Sequence, residues 1–175
     1  PLHTLAPHMD ELVSNAQGAF IKGRSIHDNF MYVRNFALRL HKRRTSALLL
    51  KLDIKKAFDS VKWGYFLELL PKFRAWIAAL LSSSSSRIML NGVPGPPIKH
   101  GSGFRQGDPL SPLLFVLAID PLHKILDLAT RKGLLHKLRG RGAVMRTSLY
   151  ADDAVGFVAP IKRDIENLAA ILRGF

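Results

Sequence analysis

The sequence predicts an α+β fold: a small antiparallel sheet with helices packed on one face. Three observations lead there. Helical and strand-like stretches follow one another in mixed order, without the regular alternation of a parallel sheet. Asn91-Gly92 and the stretch around Asp152-Asp153 each read as the turn of a β-hairpin. Hydrophobic residues make up 47% of 175, enough to bury a core.

Residues 1–16 read as a loose start and a short helix over 7–13, and residues 15–26 are glycine-punctuated and carry Lys22 and Arg24. A helix capped by Asp28 or Asn29 runs to about Arg44, with Phe30, Val33, Phe36 and Leu40 at helical spacing. Arg34, Arg39, Lys42, Arg43 and Arg44 form its solvated face or touch phosphate. Residues 47–54 predict a mostly buried strand with Asp53 near its end. A carboxylate closing a core strand is unusual unless it works at the edge of the sheet.

Residues 55–59 turn off that strand, 61–70 read as a helix, and 73–81 as another with Trp76 facing inward. The serine run 82–86 has the composition of a linker but leads directly into Arg87-Ile88-Met89-Leu90. Residues 85–90 are therefore read as a strand entering the Asn91-Gly92 hairpin. A Gly- and Pro-rich loop and strand region ends at Gly107, and a long apolar helix covers 113–129, capped by Asp108 or Ser111. Residues 131–146 form a basic connector, 145–151 the first strand of the acidic hairpin, and 161–172 a closing amphipathic helix. The chain has no internal repeat, and its length is that of one domain or of a piece of a larger one. An opening Pro1 in place of Met reads as a fragment of a longer frame.

Charge narrows the partners. Lys and Arg number 26 against 13 Asp and Glu, a formal net charge of +13, which favours a polyanion and nucleic acid before membrane. The absence of cysteine excludes disulfides, thiolate nucleophiles and zinc-thiolate sites, and the seven histidines show no metal-ligand spacing. No signal peptide or apolar run of transmembrane length is present.

The informative acids are Asp53, Asp152 and Asp153. Adjacent carboxylates at a hairpin tip repel each other and call for a cation; oxygen-only ligation suits Mg²⁺ or Mn²⁺. The alternative is a solvated turn, where Asp is common. If the Asp53 strand lies beside the hairpin, the three carboxylates meet at one sheet edge. Two metals about 4 Å apart could there activate a 3′-hydroxyl and stabilise a pyrophosphate leaving group. Arg105, Lys22 and Arg24 are candidate cations for a triphosphate, and the helix start at Leu110 offers N–H groups to an anion or a template strand.

Tyr150-Ala151-Asp152-Asp153 between apolar strands resembles the polymerase signature of reverse transcriptases. So do Leu52-Asp53-Ile54-Lys55-Lys56-Ala57-Phe58-Asp59 and Arg105-Gln106-Gly107-Asp108-Pro109-Leu110-Ser111-Pro112. Gln17, Phe20, Gly23-Arg24, Ile26 and Asp28-Asn29 resemble the fingers-side block of LINE-type (non-LTR) retrotransposon enzymes, particularly those of plants. The ordered set covers nearly the whole chain. The resemblance implies an RNA-directed DNA polymerase with a partial fingers segment over 1–45 and a palm over 46–175, truncated before the thumb. It implies Asp53 and Asp152 as the main ligands of two Mg²⁺ or Mn²⁺ ions, with Asp153 supporting them. Phe58 would lie under the incoming sugar, or be a core aromatic; Gln106 and Gly107 would pack against the nascent base pair and template. Arg24 would reach the triphosphate or make a salt bridge or helix-end contact; Tyr150 would line the primer side or join the core. Arg105 completes the primer and template set, and Asp59 caps the next helix. Implied partners are an RNA template, a DNA primer and deoxynucleoside triphosphates, with no membrane; the compartment is not given by the sequence, and the nucleus is an intracellular setting that the resemblance allows.

Against the family pattern, the chain lacks upstream fingers residues, the segment after Phe175 with its leaving-group lysine, and a thumb, and it is several residues short between Leu70 and Trp76. Those departures support a second expectation, a non-catalytic remnant that at most binds nucleic acid. A maturase-like protein using the same palm on intron RNA is a third.

Overall fold

The computed structural model describes residues 5–54, 56–138 and 146–175. A 3-10 turn, Ala6–His8, leads into helix α1 (Met9–Leu12), followed by α2 (Ile26–Lys42) and strand β1 (Leu48–Asp53). Next come α3 (Ala57–Ser60), α4 (Trp63–Leu69), a 3-10 turn at Pro71–Phe73 and α5 (Arg74–Ser82). Four two-residue strands follow: β2 (Ser85–Ser86), β3 (Met89–Leu90), β4 (Val93–Pro94) and β5 (Ile98–Lys99). The chain continues with α6 (Ser111–Arg131), β6 (Thr147–Tyr150), β7 (Asp153–Val158) and α7 (Lys162–Gly174). The mixed α+β order and the antiparallel sheets agree with the sequence. The expectations for Lys55, for Met145 and for the connector over 139–145 lie outside the described residues.

The main sheet has the order β1-β7-β6, antiparallel throughout, with Leu48 opposite Val158, Leu52 opposite Ala154 and Asp53 opposite Asp153. Successive strand residues point to opposite faces. Val158 and Leu50 accordingly join the main core with Leu113–Leu117 of α6, whereas Phe157 packs with Phe36 and Leu40 of α2 in a separate cluster. The Phe36 and Phe157 rings meet edge to face at 4.6 Å. Helices thus cover both faces, which corrects the one-face expectation: α6 lies on one, and α2 covers part of the other.

Strand β1 is an edge strand. Leu48 and Leu49 are 39% and 52% exposed, which corrects the reading of a mostly buried strand. Alternation along β1 puts Leu50 and Leu52 towards α6 and leaves Leu49, Lys51 and Asp53 on the other face.

Other local expectations shift. Ser25, rather than Asp28 or Asn29, caps α2: its hydroxyl accepts the Asp28 N–H at 3.2 Å and donates to Asp28 Oδ2 at 2.9 Å. Phe30 is exposed beyond the buried Phe36 and Leu40, and Trp76 is on the exposed side of α5, where Ile77 and Leu81 are buried instead. Residues 85–90 split into β2, which pairs with β5, and β3, which pairs with β4 across the Asn91-Gly92 turn. Both turn residues have positive φ, as a two-residue hairpin demands. Helix α6 starts without a side-chain cap, and Asp108 Oδ1 instead accepts the Leu110 N–H at 2.9 Å. Asp59 is inside α3 and caps nothing; the residue before α4 is Lys62.

Candidate active site

Tyr150 and Asp153 close the β6–β7 hairpin, leaving Ala151 and Asp152 as its two turn residues. Ala151 has φ 52°, a left-handed conformation that costs a non-glycine residue about 1–2 kcal/mol. The turn residues differ in role from the expected pair of tip acids. Asp152 is half-buried in the turn, and Asp153 is the exposed first residue of β7.

The register places Tyr150, Asp153 and Asp53 in one row across three strands. Directly opposed residues of antiparallel strands share a face and hold their Cβ atoms about 4.5–5.5 Å apart. The carboxylates of Asp53 and Asp153 therefore leave the sheet on the same side, with Asp152 next in the turn. Lys51, two residues before Asp53, reaches Asp153 Oδ1 through Nζ at 3.2 Å. Both partners are more than half exposed, so water screens the pair.

These oxygen donors match the chemistry of a hard divalent cation. Among the described residues, however, no group of three or more Asp, Glu or His side chains is gathered closely enough to hold a metal ion. The backbone brings the acids to one edge, while Lys51 compensates Asp153.

Phe58 is partly buried and stacks on Phe115 of α6 at 4.6 Å. Gly103 brings the following loop against α3: with φ 75°, a Cβ there would sit 2.9 Å from the Asp59 Cα. Phe104 N–H donates to Phe58 O at 2.9 Å, and Trp63 Nε1 donates to Gly103 O at 2.8 Å. Arg105 follows, its Nε donating to Ser84 Oγ at 3.0 Å. Gln106 and Gly107 form an exposed turn in which Gly107 has φ 84°. Arg105 and Gln106 line a polar cleft of about 550 Å³ with Asp59, Ser86 and His100. Asp53 borders a different, apolar cleft of about 480 Å³ walled by Leu52, Phe115, Ile119 and Phe175.

Arg24 is engaged by the N-terminal segment. Its guanidinium donates to Asp10 Oδ1 at 2.6 Å and to the carbonyls of Ser14 and Gln17 at 2.6 and 2.8 Å, with longer bonds to Val13 and Asp10 carbonyls. The salt bridge and carbonyl contacts named as the alternative for Arg24 are thus present. Tyr150 is half-buried beside Asp153.

The sequence reading assigned no individual role to Gln17 and offered Asn29 only as a cap of α2, yet both touch the hairpin. Gln17 bridges Leu149 in parallel, with Leu149 N–H donating to Ala16 O at 2.7 Å and Gly18 N–H to Leu149 O at 2.9 Å. Asn29 Nδ2 donates to Ser148 Oγ and to Leu149 O, each at 2.8 Å. The sequence signal that could have pointed to these contacts was membership in the Gln17–Asn29 block.

The site is a row of acids across an antiparallel sheet edge, with Asp152 beside it in the hairpin turn. The chain belongs to the family described as reverse transcriptase (RNA-dependent DNA polymerase), whose model matches residues 2–175. It is 31% identical over 163 residues to the transposon TX1 uncharacterized 149 kDa protein of Xenopus laevis, covering 90% of this chain and 12% of that protein. It is also 31% identical over 150 residues to the Pol polyprotein of a type-1 R2 retrotransposable element of Nasonia vitripennis, covering 82% of the chain and 14% of that protein. An uncharacterized mitochondrial protein of Arabidopsis thaliana is 37% identical over 67 residues, 37% of this chain and 55% of its own length. The first two of these are proteins of a transposon and a retrotransposable element, and the chain spans about an eighth of each.

Proposed function

We propose that this chain is the core of an RNA-directed DNA polymerase that adds deoxynucleotides to a primer 3′-end on an RNA template. The observation that carries this reading is the register that sets Asp53 opposite Asp153, beside Asp152. Asp53 and Asp152 are assigned as the principal ligands of Mg²⁺ or Mn²⁺ and Asp153 as a supporting one. Two ions held there would supply a lowered pKa for the primer hydroxyl and positive charge for the departing pyrophosphate. The remaining work falls to residues that position substrates. Phe58, backed by Phe115, forms a floor under the incoming sugar and excludes a 2′-hydroxyl. Gln106 and Gly107 offer a turn without bulk to the nascent base pair and template strand. Arg105 and Tyr150 face template and primer. Residues 1–45 are the partial fingers segment and 46–175 the palm.

A second reading, a non-catalytic remnant that binds nucleic acid through its basic surface, is favoured by two specific observations. Arg24 is engaged by internal carbonyls and Asp10, and Lys51 already compensates Asp153. Primer extension on an RNA template with Mg²⁺ or Mn²⁺ separates the readings. Incorporation by the chain that vanishes in Asp152→Ala/Asp153→Ala supports the polymerase. A folded chain without incorporation, still retaining RNA, selects the remnant.

A further inference from the structure

The acidic turn is strained and is held from outside its own hairpin. Gln17 is fully buried, at 0% exposure, 134 positions before Ala151 in the chain. Its side-chain Oε1 accepts two backbone N–H groups, from Ala19 at 2.9 Å and from Ala151 at 3.1 Å. Ala151 is the left-handed residue directly before Asp152. Within a two-residue turn, the φ of Ala151 sets the direction in which the next residue leaves.

The surroundings leave Gln17 little freedom. The Ala16 and Gly18 backbones are bonded to Leu149 on β6, one residue before Tyr150. Asn29 of α2 reaches across to Ala16 O, Ser148 Oγ and Leu149 O. A Cβ on Gly18 would overlap Asn29 Oδ1, so a larger residue there would have to displace an amide that holds Ala16 O, Ser148 Oγ and Leu149 O. Gln17 Nε2, by contrast, is buried without a hydrogen-bond partner among the described residues. A buried amide that leaves one end unpaired is costly, and an apolar residue would avoid that cost. The acceptor end is the part in use.

We propose that Gln17 is a positioning residue for the acidic turn: its side-chain oxygen clamps the Ala151 N–H, fixes the left-handed backbone there and so aims Asp152. This rests on the polymerase reading for its purpose, though not for its geometry. Gln17 touches no substrate; it acts through Ala151. The N-terminal segment thereby becomes a buttress of the site.

The test separates the clamp from the chemistry. Amide hydrogen exchange read by NMR reports Ala151 against the β7 amides, whatever the chain's activity. In Gln17→Leu, loss of one buried hydrogen bond is expected to speed Ala151 exchange about tenfold relative to β7. Mn²⁺ affinity, measured by electron paramagnetic resonance, should fall about 10-fold or more, as it does when outer-shell partners of metal ligands are removed. With an active chain, kcat should fall while the KM for deoxynucleotide stays within about twofold. Leu81→Val in α5, a helix outside the Gln17, Asn29 and β7 contacts described above, is the control and should leave the Ala151 ratio unchanged. Gln17→Glu keeps the acceptor and should hold the ratio near the wild-type value, and it carries the test if the leucine variant does not fold. Unchanged Ala151 exchange in folded Gln17→Leu, or faster relative exchange in Gln17→Glu, overturns the proposal. A clamp that behaves as stated in a chain that neither binds Mn²⁺ nor extends a primer would instead overturn the polymerase reading alone.

Discussion

Asp53 and Asp153 are direct partners across the antiparallel pair β1–β7, the last residue of one strand opposite the first of the other. Two like charges directly opposed on one face destabilise a sheet. Here the Lys51 ammonium, 3.2 Å from Asp153, offsets part of the repulsion. The sheet thus ends in an acidic edge with one built-in counter-charge.

Removal of that counter-charge should matter little to folding and more to cation binding. Lys51→Met is expected to change unfolding free energy by less than about 1 kcal/mol, because the pair is exposed. Mn²⁺ titration should show tighter binding than the parent chain. Denaturant unfolding and the titration, performed on the same sample, check both parts.

The second face of the sheet depends on one aromatic contact. Phe36→Ala removes a buried ring from its edge-to-face contact with Phe157 and should cost about 3–5 kcal/mol. Urea unfolding followed by circular dichroism measures this. A loss under 1 kcal/mol would mean that α2 is not anchored there.

The close approach at Gly18 gives a steric prediction. Gly18→Ala should destabilise the chain by about 1–3 kcal/mol, as overpacking does. Asn29→Ala in the same chain removes the clashing amide, so the double variant should lose less than the sum of the two single losses. A double-mutant cycle from denaturant unfolding tests it.

His123 makes stability depend on pH. Burial pushes its pKa below the ordinary 6.5, outweighing the nearby Asp120 and Asp127 charges, and its Nδ1 is 2.8 Å from Thr147 Oγ1. The unfolded chain then binds a proton that the folded one resists, so stability rises with pH across this window. The contribution is complete above pH about 6.5 and is lost as pH falls through the lower folded value. His123→Leu should flatten the fall in urea midpoint between pH 7.5 and 5.5 that the parent shows; an identical slope in both would refute the assignment.

A buried clasp joins the start of α7 to the chain before β6. Asp164, with no exposed side-chain surface, accepts the His136 N–H at 2.9 Å and meets His136 Nδ1 at 2.7 Å. Asp164→Ala should cost about 1–3 kcal/mol, since it removes both hydrogen bonds to His136 and unties the first turn of α7 from it. Thermal unfolding measures the loss, and a shift of less than 2 °C would refute it.

Much of this was legible in the chain. Helix α6 was readable because its apolar run is long, and the hairpin at Asn91-Gly92 because few residue pairs accept positive φ twice. The order of the acidic and glycine motifs was enough to name the family. Caps and facings were less legible: Ser25, Asp28 and Asn29 are all good capping residues, and only their distances decide which one turns towards the helix and which towards β6.

The sequence by itself determined the α+β order, the acidic hairpin and the reverse-transcriptase family, because local periodicity, turn chemistry and motif order are properties of neighbours along the chain. The tertiary structure decided that Asp53 meets Asp153 and that Lys51 compensates that pair. It also decided that Arg24 is spent on Asp10 and backbone carbonyls, and that Gln17 reaches Ala151. Those pairings join residues far apart in the chain. Register and burial select them, and neither is a property of any short stretch.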